Sequence, residues 1–310
     1  MITIRENIPL SKFTTFRLGG PARFFAEVND KKDLEEALQF AKEKKIEWFI
    51  LGGGSNLLVS DQGFDGLIIK INNRESKVEG SKIIAGAGLL LSEIVSLARR
   101  NSLSGLEWAT GIPGTVGGAI FGNAGAYGSA TGDNIAKVEV FDSTQEKFSW
   151  KDCSGTDCQF DYRTSLFKQQ KELIIFSAVF SLVLGQAEEI SAKIKKIIRE
   201  RVGKIPQGPS AGSFFKNPLV TKAEVLAEFE KDQKIKSRGG KIPAGWLIDQ
   251  LDLRGKKIGG AMLSQDHSNF IINTGGAKAE DIIILSSLIK QKVRNHLGVQ
   301  LEEEVQFLGF

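Results

Sequence analysis

Hydrophobic positions recur with a period near two in some stretches and near four in others, and their alternation places most of the elements. Residues 23–28 (RFFAEV) form an apolar run suited to a buried strand. Asp30 then precedes Leu34, Ala37, Leu38 and Ala41, an i, i+3, i+4, i+7 stripe that predicts a capped amphipathic helix. A buried strand over 46–51 runs into Gly52-Gly53-Gly54-Ser55-Asn56, and another strand follows at 67–71 (LIIKI). From residue 82 the order is strand (KIIAGAG), helix over 92–100, a glycine-rich stretch, and a strand over 137–142. An alternating strand over 173–184 follows, then a helix over 188–201 with Ile190, Ile194, Ile197 and Ile198 on one side. Pro206, Gly208 and Pro209 mark a boundary. Beyond it come a helix over 221–231, the helix-like PAGWLIDQL (243–251), strands in KKIGGAML (256–263) and NFIINTG (269–275), and a helix over 279–296 that Gly298 closes. The terminal VQLEEEVQFLG (299–309) reads as a strand with Glu302 and Glu304 on one face and Glu303 on the other. The mixture is α+β.

The most unusual stretch is 110–128, TGIPGTVGGAIFGNAGAYG, which holds seven glycines and no charge. Its other residues are largely apolar, unlike a solvated linker. Such a cluster makes sense where Cβ atoms would block a close approach or where φ must be positive. The approaching object is either another protein segment or a flat, phosphate-bearing cofactor. The earlier loop, Gly52 to Asn56, lacks the third glycine and the following helix of a dinucleotide fingerprint, and no GxxxxGK[ST] occurs. A nest of backbone N–H groups remains as its anion-binding mode. Two such loops suit one elongated diphosphate-containing ligand, of which a flavin dinucleotide is an example.

Composition narrows the classes. The 310 residues are 41% hydrophobic and 25% charged, which is ordinary for a globular chain and excludes disorder. A net charge of +4 from 41 basic and 37 acidic residues gives no sign of nucleic acid, but suits an anionic small ligand. Arg5 and Glu6 interrupt the apolar core that a signal peptide needs, and the run at 173–184 is too short to span a membrane, so a soluble cytoplasmic protein is expected. Cys153 and Cys158, with only His267 and His296 elsewhere, complete neither a zinc set nor a disulfide framework; no metal is expected.

Three polar groups stand in apolar surroundings: Tyr162-Arg163, Ser213 between Gly212 and Phe214, and Glu304. On the residues alone each has a structural alternative. Arg163 fits an ion-pair partner, Ser213 a turn residue before Pro218, and Glu304 a solvent-facing strand position.

Seven motifs occur in order: TTFRLGGPA (14–22), LGGGSNLL (51–58), the 110–128 stretch, YRTSLFK (162–168), SAGSFFKNP (210–218), PAGWLIDQ (243–250) and LEEEVQFLG (301–309). Together they resemble the UDP-N-acetylenolpyruvoylglucosamine reductases, the MurB family of flavin enzymes in peptidoglycan precursor synthesis, over essentially the whole chain. The resemblance implies a two-subdomain FAD-binding module of the PCMH/vanillyl-alcohol-oxidase type plus a C-terminal α+β substrate domain. In that reading 1–72 and 73–204 are the FAD-binding subdomains, 302–310 adds a strand to the first, and 205–301 binds substrate. It implies reduction of an enolpyruvyl ether to a lactyl ether with bound FAD, NADPH as co-substrate, and a UDP-linked enolpyruvyl amino sugar as substrate, in a monomer with no nucleic-acid or membrane partner. FAD would be held by Gly52, Gly53, Gly54, Ser55, Asn56 and Leu57, and by Thr110, Gly111, Ile112, Pro113, Gly114, Gly117, Gly118, Ala119, Asn123 and Ala126. By similarity Arg163 faces the substrate carboxylate, Ser213 is the proton donor, and Glu304 is the acidic partner; Lys216 or water is a candidate to assist Ser213. Tyr162, Lys204, Asn217 and His267 match the substrate side.

The resemblance departs at two places. No tyrosine-bearing loop insertion fits between 184 and 188, so the chain is similar to the shorter branch of the family; and Glu303 stands where proline is common. Two other function classes stay in view: another FAD oxidoreductase of the same fold acting on a sugar or alcohol, and a non-enzymatic nucleotide-binding protein, which would be colourless.

Overall fold

The computed structural model describes residues 2–144, 148–237 and 239–310. The chain forms two compact units, one comprising Met1–Ile8, Ala22–Gly53 and Asp65–Val202, the other Pro9–Pro21, Gly54–Phe64 and Gly203–Phe310. The segment 1–72 is therefore shared between both units, and the first glycine loop passes from one to the other between Gly53 and Gly54.

In the first unit a four-stranded sheet has the order Ile4–Pro9, Pro21–Val28, Phe64–Ile71, Trp48–Leu51, with the last two parallel. The intervening helix Lys31–Lys44 begins at Asp30, whose Oδ1 accepts from Asp33 N at 2.8 Å. Such a cap is worth about 1 kcal/mol. The stripe Leu34, Ala37, Leu38 and Ala41 is buried with Ala26, Val28, Leu67 and Ile69, and each buried leucine contributes about 1.5–3 kcal/mol. An antiparallel five-stranded sheet completes the unit in the order Ser149–Ser154, Ile135–Asp142, Leu173–Ser181, Lys82–Gly86, Ser76–Glu79. Helix Leu91–Arg100 buries Leu91, Ile94, Val95 and Ala98.

Two expectations need correction here. The run at 173–184 is not one strand: it stops at Ser181, and Val183–Leu184 pairs separately with Leu103–Ser104. The isoleucine stripe of helix Ala187–Arg201 buries Ile190 alone, and Ile198 is 47% exposed. Periodicity marked the helix correctly, but only Ile190 is fully covered, with Ile194 partly buried against the same core.

The second unit has an antiparallel sheet in the order Ser210–Ser213, Phe270–Asn273, Ala261–Leu263, Lys257–Ile258. Helix Ala279–Leu297 buries Ile282, Leu285, Ile289 and Val293 and ends at Gly298, in the left-handed region at φ 66°. Terminal strand order is confined to Gln306–Leu308, which pairs in parallel with Leu57–Val59. The three glutamates lie before that strand, correcting the single strand expected over 299–309.

The sheet cores set the stability. Ile69 is fully buried in Phe64–Ile71, so Ile69→Ala should cost about 2–5 kcal/mol, read as a lower urea midpoint at unchanged slope.

Candidate active site

The 110–128 stretch is ordered by a short helix that its glycines conceal. Thr115 caps Val116–Phe121, its hydroxyl accepting from Gly118 N at 3.3 Å. Two N–H groups of the first turn are satisfied from outside, Val116 N by Leu89 O and Gly117 N by Ala87 O, both at 2.8 Å, while Leu91 N donates back to Gly114 O. Gly114, at φ +132°, delivers the chain into this turn, a backbone conformation that L side chains rarely adopt. The preceding 3-10 turn Glu107–Ala109 is fixed by the buried Glu107 carboxylate, which accepts from Ser104 Oγ and Gly105 N at 2.7 Å. Burial pushes that carboxyl up, but these hydrogen bonds and Lys193 hold it below its ordinary value.

The two glycine-rich segments meet. A Cβ on Gly53 would lie 2.9 Å from Gly114 Cα, and one on Gly52 would lie 2.9 Å from Thr115 Oγ1. Part of the glycine content therefore serves protein packing. Gly54 is required on the other side, since at φ +61° its Cβ would fall 1.9 Å from Phe13 O.

Other features of the first unit have room or need for a ligand. A Cβ on the exposed Gly118 would meet only Thr115 Oγ1, at 3.5 Å. Trp108 Nε1 and Thr110 Oγ1 are buried with no hydrogen-bond partner among the described residues, although buried donors are nearly always paired. An open Cβ position at Gly118 and two orphaned polar atoms on the neighbouring segment of chain fit a flat, multi-acceptor cofactor. Ile112 is half-buried, Pro113 exposed and Ala119 buried, while Ala126 pairs with Ser129 in the hairpin around Tyr127.

Tyr162 and Arg163 occupy the tip of a tight turn in which Asp161 and Thr164 exchange backbone hydrogen bonds at 3.2 Å. Arg163 is left-handed at φ 56°, costing about 1–2 kcal/mol for a side chain of this kind, and its guanidinium lies 5.5 Å from the Tyr162 ring centroid. The turn is pinned to the glycine-rich stretch by Asn123, whose Nδ2 donates to Asp161 O at 2.9 Å while its Oδ1 accepts from Gly132 N. Ser165 Oγ also donates to Phe121 O at 2.7 Å. Thus the structure brings Arg163 to the 110–128 stretch and uses the Asn123 amide to do it.

In the second unit the backbone of Glu304 pairs with Phe214, the residue that follows Ser213. Glu304 N donates to Phe214 O at 2.8 Å, Phe215 bridges Glu303, and Lys216 N donates to Glu302 O at 2.9 Å, a short antiparallel ladder. Asn56 joins it, Nδ2 donating to Glu304 O at 3.1 Å and O accepting from Gln306 N. Side-chain partners separate the three glutamates: Glu302 pairs with Lys216 at 3.1 Å and Glu303 with Lys290 at 2.7 Å. Lys216, considered above as an assistant to Ser213, is engaged with Glu302. The buried Asn269, which sequence reasoning missed, clamps Phe215 with both ends of its amide, at 2.9 and 2.8 Å, and its carbonyl accepts from Phe214 N. A lone asparagine in a strand-like run gives no such signal in advance.

Asn217 Oδ1 accepts from Ala244 N at 3.0 Å, at the start of helix Ala244–Asp249. Lys204 is exposed in the turn after helix Ala187–Arg201. His267 Nδ1 accepts from Asn269 N at 3.1 Å, so Nε2 carries the proton of the neutral ring. Beside it Asp249 is held bidentately by Arg254, at 2.6 and 2.8 Å, and accepts from Ser268 Oγ. Both cysteines are free and buried, and burial pushes Cys158 up to about 12, so neither is a reactive thiol. Among the described residues no three His, Cys, Asp or Glu side chains group as metal ligands, and no helix is long and apolar enough to cross a membrane.

Burial lowers His267 from its ordinary 6.5, opposed by Asp249 and aided by Arg254. The unfolded chain then takes up this proton more readily than the folded one, so His267 makes stability fall as pH drops below about 6.5. His267→Asn should flatten the pH dependence of the urea midpoint between about pH 7 and 5; an unchanged slope would mean that other groups cause it.

Known proteins share this arrangement. A model of an FAD binding domain matches residues 22–147, and one of the UDP-N-acetylenolpyruvoylglucosamine reductase C-terminal domain matches residues 188–308. The UDP-N-acetylenolpyruvoylglucosamine reductase of Solibacter usitatus is 36% identical over 309 residues, 99% of this chain and 97% of the relative. That of Caldanaerobacter subterraneus subsp. tengcongensis is 40% identical over 305 residues, 98% of this chain and 93% of the relative. The crystal structure of the Thermus caldophilus enzyme aligns with a TM-score of 0.80 at 32% identity, covering 100% of both chains. With relatives this similar along its whole length, the chain belongs to the UDP-N-acetylenolpyruvoylglucosamine reductase (MurB) family.

Proposed function

We propose that the chain is an NADPH-dependent UDP-N-acetylenolpyruvoylglucosamine reductase, converting the enolpyruvyl ether of a UDP-linked amino sugar to a lactyl ether in peptidoglycan precursor synthesis. The observation that carries the residue assignment is the ladder setting Glu304 against Phe214, next to Ser213, in the body that also holds Asn56. The open face at Gly118 and the orphaned Trp108 Nε1 and Thr110 Oγ1 fit FAD. When bound, FAD supplies the passage of an electron pair from NADPH to the enolpyruvyl double bond.

The chain's residues bind, orient and protonate. Residues 52–57 and the 110–126 positions named above hold the cofactor, with Asn123 acting through the turn that it pins. Arg163 offers a planar fork of donors to the substrate carboxylate, stabilising negative charge as it develops there. Ser213 Oγ gives its proton to the substrate carbon beside the carboxylate; its hydroxyl makes no hydrogen bond to a described residue, so it is available to the substrate. Glu304 polarises the enolic group, and its backbone ties keep it in register with Ser213. Lys204 and Asn217 are read as the residues for the diphosphate and sugar, and Tyr162 and His267 as further substrate-binding residues. Residues 1–72 and 73–204 form the FAD-binding subdomains, 302–310 adds to the first, and 205–301 binds substrate, in a cytoplasmic monomer.

Ser213→Ala separates the two half-reactions. Its flavin should still bleach with NADPH at the parent rate, while reoxidation by the enolpyruvyl substrate should slow by about 10²–10⁴-fold, the usual contribution of a positioned proton donor, in stopped-flow absorbance. Unimpaired reoxidation would remove Ser213 from the mechanism.

A further inference from the structure

One cation at the cofactor stretch has no part in the function proposed above. Arg201 is the last residue of helix Ala187–Arg201, and its side chain lies across Gly111. Nη2 donates to Gly111 O at 3.1 Å, while Nε is buried with no hydrogen-bond partner among the described residues. A Cβ on Gly111 would stand 3.2 Å from that same Nε, so the missing side chain is what lets the guanidinium settle against the backbone. Among the described residues no carboxylate pairs with Arg201. A second cation on the same helix, Lys193, stands 3.9 Å from Glu107.

Burying a guanidinium N–H without an acceptor is unfavourable, and the orphan here does not stand alone. Trp108 Nε1 and Thr110 Oγ1, on the segment that Arg201 covers, are unpaired as well. Residues 51–58 and 110–128 carry no charged side chain, so neither loop neutralises an anionic ligand by itself. A guanidinium suits phosphate oxygens, which accept two parallel hydrogen bonds from its planar fork. An arginine serving only as an anchor between helix and loop would need just the bond to Gly111 O, and its Nε would stay unexplained.

We infer that Arg201 is a further cofactor-binding residue, which reaches from the helix end to the diphosphate of the dinucleotide. The inference rests on the FAD reading of the preceding subsection. It concerns a cation outside both glycine-rich motifs, so the motifs alone do not point to it.

The test uses the full chain, stripped of flavin and titrated with FAD, for the parent, Arg201→Gln and Arg201→Lys. Flavin fluorescence should show FAD affinity about 10- to 100-fold weaker in Arg201→Gln, with an intermediate loss in Arg201→Lys. Added salt should weaken FAD binding to the parent more steeply than to Arg201→Gln, because an ion contact is screened. The flavin-free melting temperature should stay the same. Undiminished FAD affinity in Arg201→Gln overturns the inference while leaving the flavin reading intact, and so does a loss matched by a lower flavin-free melting temperature or by unchanged salt sensitivity. If the parent takes up no FAD, the flavin reading itself fails and this inference fails with it.

Discussion

The first unit depends on two stretches of backbone lying closer than any side chain permits. Gly53 stands against Gly114, and Gly52 against Thr115. The strand Trp48–Leu51 delivers the first loop to this contact, and the second is fixed by hydrogen bonds to the carbonyls of Leu89 and Ala87 and from Leu91 N. A single Cβ at Gly53 would meet Gly114 Cα at 2.9 Å and force the segments apart. The glycines thus act first on the protein, by letting the loops meet, and then on the ligand, by leaving the Gly118 side open. The same close packing explains why Thr115 matters: its hydroxyl caps the helix and fills the space that Gly52 leaves.

In the second unit the corresponding constraint is hydrogen bonding rather than contact distance. Asn269 supplies a donor and an acceptor to Phe215, and 302–304 runs antiparallel to 214–216. Ser213 and Glu304 owe their proximity to that register. A slip of one residue would bring Glu303 or Val305 to the place of Glu304. The ion pairs of Glu302 with Lys216 and Glu303 with Lys290 oppose such a slip, though each is partly exposed and contributes little to overall stability.

Much of the fold was legible because burial imposes periodicity. The Asp30 cap, the stripe from Leu34 to Ala41 and the Gly298 stop fell where the pattern put them. The helix Val116–Phe121 did not, since Gly117 and Gly118 are poor helix formers and two of its N–H groups are paired by Leu89 and Ala87, remote in sequence. The terminal strand was drawn too long for a related reason: alternation marks extended chain, whereas only Gln306–Leu308 finds a full partner strand. At the site, motif order assigned Ser213, Glu304 and Arg163, yet Asn269 lies outside the motifs, and Asn123, named within the 110–128 stretch as a cofactor residue, gave no sign that it positions the Arg163 turn. Their roles come from two-ended amide bonds that only the folded chain reveals.

The proposed reaction is tested most directly by following NADPH absorbance anaerobically with the purified yellow protein, with and without the UDP-linked enolpyruvyl sugar. Sustained NADPH consumption that begins only on adding the sugar, with lactyl ether formed in equal amount, is the predicted result. Rapid flavin reduction by sugar alcohols, with none by NADPH, would contradict it.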